Sequence, residues 1–143
     1  MIREFQPGDQ KGIALLEEEC FSSPWSETAI TESRNNGTVF VVFEEKGKII
    51  GYAGMGIVLD EGYITNIAVS KNHRNKGIGT ALITELKRLA ILKELRFITL
   101  EVRPSNIAAL TLYKKMGFNQ VGVRKNFYTS PTEDAILLTI EEF

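Results

Sequence analysis

Residues 66–92 read NIAVSKNHRNKGIGTALITELKRLAIL, and they contain a strand, a turn and a helix in direct succession. The apolar strand is predicted to end at Val69–Ser70, where a polar, basic turn begins. Gly77 and Gly79 follow, and an amphipathic helix starts directly after them. Glycine lets the backbone approach a ligand closely, and the first N–H groups of a helix have no partner inside the helix. The stretch therefore predicts a loop that binds phosphate.

Three kinds of phosphate-binding loop can be compared with this turn. A P-loop has lysine directly after its second glycine, whereas Ile78 and Thr80 follow the two glycines here. A dinucleotide-binding loop needs a third glycine where this chain has Leu82, and no acidic residue ends a second strand where a ribose would need it. What remains is the shorter Gly-x-Gly loop of Arg74–Thr80. On the loop alone, a tight strand-to-helix turn without a ligand explains the pattern equally well.

The composition is that of an ordinary globular protein. The chain has 143 residues, of which 43% are hydrophobic, enough for one domain with a real core. Lys and Arg number 17 against 18 Asp and Glu, so the global charge does not favour nucleic acid or a membrane as a partner. Basic residues cluster instead at residues 71–76, beside the predicted phosphate loop, and the acidic run Glu17–Glu19 is expected on a solvated face.

Cysteine and histidine are too few for a metal or disulfide framework. Cys20 is the only cysteine, so no metal cofactor and no disulfide are expected. The first residues do not have the shape of a signal peptide, and no apolar run approaches the ~18–20 residues of a membrane span. These features favour a cytoplasmic protein, and they specify no oligomeric state.

Hydrophobic periodicity predicts an alternation of strands and helices along the whole chain. The strands are expected at residues 2–5, 38–44, 49–59, 63–70, 95–102, 118–123 and 135–140. The helices are expected at residues 9–20 and 26–33, from residue 78 onward, and from 104–106 to 116, with a polar loop at 128–134. This order indicates one mixed α/β domain over residues 1–143, in which the fourth and fifth strands are parallel because a helix joins them.

Several motifs beyond the loop occur in a recognisable order. Ile67–Val69 precedes the loop, LEVR at 100–103 follows the helix, and Asn106, Tyr113 and Gly117-Phe118 come after it. With the loop itself, they resemble the Arg/Gln-x-x-Gly-x-Gly/Ala signature and motif order of the GNAT superfamily, the acyl-CoA-dependent N-acyltransferases. FSSPWS at 21–26, NFY at 126–128 and EDA at 133–135 are most similar to the bacterial ribosomal-protein alanine N-acetyltransferases of the RimI type.

The resemblance implies a fold and a co-substrate. The fold is a single GNAT-like α/β domain, whose mixed, mostly antiparallel sheet is splayed at the central parallel strand pair and has helices on both faces. Acetyl-CoA is the co-substrate, and no metal is involved. The family resemblance assigns the acetyl and pantetheine groups to the backbone of Ile67, Ala68 and Val69, and a further coenzyme contact to Asn106, which is equally suited to cap a helix. It assigns the pyrophosphate to the loop Arg74, Asn75, Lys76, Gly77, Ile78, Gly79 and Thr80.

The same resemblance implies two catalytic side chains. A free α-amine has a reference pKa of about 7.7–8.0 and must lose a proton before it can attack a thioester. The resemblance gives that task to Glu101, which without it would be interpreted as a surface residue at a strand end. It makes Tyr113 the acid that protonates the departing thiolate, although a helix-face tyrosine that packs on the sheet is an alternative. Cys20 is expected to be a small hydrophobe, so transfer is direct.

The acceptor side is the least defined by sequence. The resemblance implies that Pro24, Trp25 and Tyr128 line it and that the acceptor is the N-terminal alanine of a small-subunit ribosomal protein. Two alternatives stay open: a GNAT enzyme that acetylates a small amine such as a polyamine or drug, and a regulatory module that binds acyl-CoA without turnover. The presence of both Glu101 and Tyr113 argues against the module, since a pure binder needs neither.

Overall fold

The computed structural model describes residues 1–143 as one sheet covered by helices. The strands are β1 (Ile2–Glu4), β2 (Val39–Glu45), β3 (Lys48–Val58), β4 (Glu61–Val69), β5 (Phe97–Val102), β6 (Asn119–Tyr128) and β7 (Glu133–Ile140). The helices are α1 (Asp9–Cys20), α2 (Glu27–Asn35), α3 (Ile78–Leu92) and α4 (Ile107–Lys115), with a short 3-10 turn at Lys71–His73. No helix has both the length and the apolar character that crossing a membrane requires.

The sheet has seven strands in the order β1-β2-β3-β4-β5-β7-β6. All neighbouring strands are antiparallel except β4 and β5, which are parallel and are joined through α3. The predicted mixed, mostly antiparallel sheet with a central parallel pair is therefore confirmed.

The parallel pair separates soon after it begins. Only Glu61–Tyr63 of β4 pair with residues of β5, at 97–99, although the two strands continue to Val69 and Val102. Over the same stretch β4 stays paired with β3 and β5 stays paired with β7. The sheet thus opens into a cleft between the carboxyl ends of β4 and β5, as the predicted splay requires.

Apolar side chains on both faces of the sheet explain why helices cover both. The apolar face predicted for α3 is buried in the larger cluster, against side chains of β2 to β5 such as Val41, Ile64 and Ile98. On the other face, α1 and α2 bury a second cluster against Phe40 and Tyr52. Burial of apolar surface on two faces holds the three layers together.

The region after α4 differs from the sequence prediction. Strand β6 runs to Tyr128, past the predicted end at Val123, so the expected polar loop at 128–134 shrinks to residues 129–132. Tyr128 pairs with Glu133 across an irregularity that begins after Arg124. β6 is a largely exposed edge strand and carries polar side chains on both faces. It therefore lacks the alternation that marks a half-buried strand, and pairing with β7 decides its length.

Candidate active site

The turn between β4 and α3 has the geometry of an anion site. Gly77, directly before α3, has φ 81° and ψ 8°, a left-handed conformation that glycine adopts without strain. No side chain caps the helix, and its first internal hydrogen bond runs from the Ala81 N–H to the Gly77 carbonyl at 3.0 Å. The N–H groups of residues 78–80 precede that bond and are left for a ligand at the positive end of the helix. We call residues 67–80 the glycine-loop region.

Gly79 has a packing role in the same region. A Cβ atom at Gly79 would lie 3.0 Å from Cδ2 of Leu112, so the first turn of α3 packs closely on α4. Gly77 is therefore required for its backbone angles and Gly79 for the close approach of two helices.

Neighbouring side chains hold the turn in place. Arg74 donates from Nε to the Val69 carbonyl at 3.0 Å, and the Lys71 N–H donates to the carboxylate of Glu19 at 2.7 Å. This second hydrogen bond lowers the pKa of Glu19. The Lys76 side chain is exposed and makes no hydrogen bond or ion pair. The turn is thus anchored from α1, a contact that the sequence did not indicate.

The residues Ile67, Ala68 and Val69 line the β4 side of the cleft. One edge of their backbone is paired with Ala53, Tyr52 and Gly51 of β3. The opposite edge has no partner strand, because β5 has already separated. A ligand in the cleft can therefore meet backbone hydrogen-bonding groups there, as strand addition does at a sheet edge.

Glu101 lies on β5 at the opposite side of the cleft. Its side chain is only 10% exposed, so it is not a freely solvated surface carboxylate. The Tyr63 hydroxyl donates to Oε2 at 2.9 Å, and Arg124 Nη1 lies 3.9 Å from Oε1. Burial, followed by the hydrogen bond to Glu101, raises the pKa of Tyr63 to about 12, so Tyr63 stays a neutral donor at physiological pH. Tyr63 and Arg124 were absent from the predicted site.

Tyr113 on α4 is almost wholly buried. Its ring packs edge to face on Phe118, with the ring centroids 5.4 Å apart, as the packing alternative predicts. Its hydroxyl makes no hydrogen bond within the protein, and burial raises the pKa of Tyr113. Tyr113 therefore keeps its proton at physiological pH, and its role as the proton donor stays a prediction. Asn106 caps α4, where its Oδ1 accepts from the Ala109 N–H at 3.2 Å.

The loop after α1 is anchored from inside the protein. The backbone N–H of Trp25 donates to Oε1 of Glu17 at 2.9 Å, and Glu17 is fully buried. The expectation that Glu17 lies on a solvated face is therefore wrong. It follows Leu16 on the side of α1 that packs on the sheet, and polar donors within the protein take the place of water. Pro24 is exposed and Trp25 is partly buried.

The loop between β6 and β7 is anchored from the end of β5. Arg103 donates from Nη2 to the Thr129 carbonyl at 3.0 Å and from Nη1 to the Pro131 carbonyl at 2.8 Å. Nη1 also reaches Glu133 at 3.0 Å, and the guanidinium lies 4.4 Å from the ring centroid of Tyr128. Burial raises the pKa of Tyr128, and the charge of Glu101 acts in the same direction. We call Tyr63, Glu101, Arg124, Tyr128 and the loops 21–25 and 129–132 the carboxylate region.

Comparisons with known proteins agree with this geometry. The model of the acetyltransferase (GNAT) family matches residues 11–118. The chain is 36% identical over 143 residues to the [ribosomal protein bS18]-alanine N-acetyltransferase of Escherichia coli K12, covering 97% of this chain and 95% of that protein. The Haemophilus influenzae protein of the same name is 31% identical, covering 96% of both chains. The crystal structure of the Escherichia coli ribosomal-protein-S18-alanine N-acetyltransferase superposes with a TM-score of 0.90 at 31% identity, covering 98% and 92%.

The chain therefore belongs to the acetyltransferase (GNAT) family. Within that family it is an acetyl-CoA-dependent N-acetyltransferase, as the sequence predicted. The glycine-loop region fits such a co-substrate, because an uncapped helix N-terminus suits a pyrophosphate and the unpaired edge of β4 suits an acylated thiol arm. No group of three or more His, Cys, Asp or Glu side chains that could hold a metal ion is present.

Proposed function

We propose that this enzyme transfers the acetyl group of acetyl-CoA to the α-amine of a protein N-terminus, and that the acceptor is the N-terminal alanine of a small-subunit ribosomal protein in the cytoplasm. The observation that carries the proposal is the partly buried carboxylate of Glu101, which lies across the cleft from the unpaired edge of β4. The names of the relatives supply the class of acceptor.

Glu101 serves as the base, directly or through one water. The incoming α-ammonium loses a proton to the carboxylate, and the free amine nitrogen then attacks the thioester carbon. Tyr63 donates a hydrogen bond to one carboxylate oxygen and so leaves the other to accept the proton. Arg124 lies 3.9 Å from that second oxygen, which keeps the carboxylate beside a positive charge until substrate arrives.

The glycine-loop region binds and polarises the acetyl donor. Backbone N–H groups on the unpaired edge of Ile67–Val69 stabilise the oxygen of the tetrahedral intermediate. The N–H groups of residues 78–80 bind the pyrophosphate. Collapse of the intermediate breaks the carbon–sulfur bond, and Tyr113 gives its proton to the departing thiolate. The nitrogen loses its second proton in the same step, and this proton restores Tyr113 through solvent.

Transfer is direct, without an acetylated cysteine. Burial raises the pKa of Cys20, so its sulfur stays a thiol rather than a nucleophilic thiolate. The Sγ atom lies 3.5 Å from the Val69 carbonyl and 3.7 Å from the Arg74 guanidinium, with no base beside it. The reaction therefore has one chemical transfer step from thioester to amine.

The test is CoA release from acetyl-CoA with two peptides. One peptide begins with a free alanine; its twin is N-terminally blocked and carries an internal lysine. The enzyme should turn over the first only, and Glu101→Gln should abolish that turnover while Glu142→Gln, an exposed matched control, leaves it unchanged. Turnover of neither peptide, despite binding of acetyl-CoA, would move the acceptor to a small amine or leave a silent binder. Equal turnover of both peptides would overturn the N-terminal assignment.

A further inference from the structure

A carboxylate with no cationic partner lies inside the molecule, between α1 and the sheet. Glu17 is fully buried and accepts three hydrogen bonds. The backbone N–H of Trp25 donates to Oε1, and the Tyr52 hydroxyl and the Asn66 side-chain amide both donate to Oε2, each at 2.9 Å. Burial raises the pKa of Glu17, which reflects the cost of removing its charge from water. An apolar side chain would fill such a position at a lower cost in free energy, so stability alone does not explain a carboxylate here.

The three donors belong to three different elements that meet at Glu17. Trp25 closes the loop that follows α1, Tyr52 lies on β3, and Asn66 lies on β4 shortly after it leaves β5. The β3–β4 register shifts beside Asn66: Gly54 pairs with Asn66 but Met55 pairs with Ile64, so Thr65 is an extra residue, a β-bulge.

A carboxylate is suited to this junction by its chemistry. It accepts hydrogen bonds at both oxygens and donates none when ionised, so it can satisfy a backbone N–H, a phenol and an amide at once. Loss of one acceptor would leave a donor unpaired inside the protein, and the loop or the bulge would move to find another partner.

We propose that Glu17 is a positioning residue for the acceptor: it holds the loop 21–25 and the bulge of β4 in one arrangement, and so sets the affinity for the peptide without touching it. The inference rests on the proposed function, because that loop is the proposed wall of the peptide site. It adds a residue from α1 to a reaction whose proposed chemistry lies on β5 and α4.

The test separates positioning from general stability. Glu17→Gln keeps the size of the side chain but turns one acceptor into a donor that faces other donors. We expect the KM for the alanine peptide to rise at least tenfold, with kcat and the KM for acetyl-CoA within threefold of wild type. Glu18→Gln, the exposed neighbour on the same helix, is the matched control and should change none of these values.

The single tryptophan supplies a readout that does not require turnover. Trp25 is the only tryptophan of the chain, its backbone N–H donates to Glu17, and its side chain is partly buried. A shift of the loop should therefore change the surroundings of the indole and its emission. Glu17→Gln should shift the emission maximum or change its quenching by iodide, whereas Glu18→Gln should not. If the wild-type enzyme does not acetylate the alanine peptide, the proposed acceptor is wrong. An unchanged emission in Glu17→Gln would overturn the positioning role independently of that result.

Two milder variants keep the proposal testable if Glu17→Gln does not fold. Tyr52→Phe and Asn66→Ala each remove one donor to Oε2 and leave Glu17 in place. Each should raise the peptide KM by roughly twofold to fivefold, with kcat and the acetyl-CoA KM unchanged. A peptide KM equal to that of wild type in both variants would overturn the proposal. So would a fall in kcat together with a rise in the KM values of both substrates, because that pattern marks a merely structural role.

Discussion

In the glycine-loop region, the groups proposed to bind a ligand are backbone N–H groups from one continuous stretch, residues 67–80. In the carboxylate region, they are side chains from β4, β5 and β6, flanked by loops 21–25 and 129–132. One region is made by backbone conformation and the other by the meeting of distant side chains. A backbone site tolerates most side-chain changes and is sensitive at positions with special angles, whereas a side-chain site can be lost through one substitution.

The two loops of the carboxylate region also differ from each other. The loop 21–25 is tied to a fully buried carboxylate that has no ion-pair partner, Glu17. The loop 129–132 is tied to Arg103, whose side chain is 28% exposed and is paired with Glu133. Salt screens exposed charges and leaves buried hydrogen bonds nearly untouched, so the second anchor should weaken first as ionic strength rises.

The largest effect should come from Glu101→Gln. We expect kcat for the alanine peptide to fall by roughly 10²–10⁴-fold, the usual contribution of general acid–base catalysis. The KM for acetyl-CoA should stay the same, since the glycine-loop region is untouched. Steady-state kinetics with both substrates varied measures this, and a change confined to the acetyl-CoA KM would contradict the division between the two regions.

Gly77→Ala should have the second-largest effect, and this effect should fall on the glycine-loop region. A Cβ atom there would meet nothing within 4 Å, so the cost is the left-handed backbone alone, about 1–2 kcal/mol. We expect the acetyl-CoA KM to rise roughly tenfold or more, with the peptide KM unchanged. Gly37→Ala is the control, because Gly37 also has positive φ and open space but lies outside the site. It should lower the thermal midpoint equally and leave both KM values alone.

Arg103→Lys tests the exposed anchor. Lysine keeps the charge but lacks the planar fork that reaches two carbonyl groups and a carboxylate together. We expect the peptide KM to rise about fivefold to tenfold, and in wild type to rise with salt. Arg96→Lys, an exposed arginine paired with Asp60 and Glu61, is the control and should leave the peptide KM as it is. A peptide KM that stays constant in Arg103→Lys would show that the loop 129–132 does not contribute to acceptor binding.

Glu17, which anchors the loop 21–25, and Glu133, which pairs with the anchor Arg103, should change the stability of the protein with pH in opposite directions. Hydrogen bonds from Arg103 and then Ser105 lower the pKa of Glu133 below 4.5, so its contribution to stability is present above that pH and is lost as the pH falls through the lowered value. Burial raises the pKa of Glu17 above 4.5, so its contribution is present below pH 4.5 and is lost as the pH rises through the raised value.

Urea midpoints measured from pH 3 to pH 8 test both signs. Relative to wild type, Glu133→Gln should lose less stability as the solution is acidified, and Glu17→Gln should gain less. If the urea midpoint changed with pH in the same way in all three proteins, neither carboxyl group would change its pKa on folding.

The smallest effect should come from Lys76→Ala. Lys76 lies inside the glycine-loop region, yet its side chain is exposed and unpaired. Removing it should change the acetyl-CoA KM by less than about threefold, and the difference should vanish at high salt. An effect as large as that of Gly77→Ala would mean that side-chain charge, rather than backbone, provides most of the binding.

The sequence prediction was accurate where the determinant is local. Gly77 has the left-handed backbone angles that glycine adopts without strain, and the predicted helix after this turn is present as α3, which begins at Ile78. It was wrong for Glu17 and for the end of β6, and Tyr63, Arg103 and Arg124 were missed. Burial of a helix face against a sheet depends on neighbours far away in the chain, as Tyr52 is from Glu17. The length of an edge strand depends on its partner, here β7, rather than on its own side-chain pattern. The chemical roles of Glu101 and Tyr113 stay predictions.

By itself the sequence determined the order of elements, the glycine-loop region and the family of the protein, because each depends on residue type and short spacing. Only the tertiary structure decided which side chains surround Glu101 and how the two loops are held. It brings Tyr63 to Glu101 across the few paired residues of β4 and β5, and brings α1 to Trp25 through a buried carboxylate. Those contacts are set by strand register and by burial, and a local sequence pattern predicts neither.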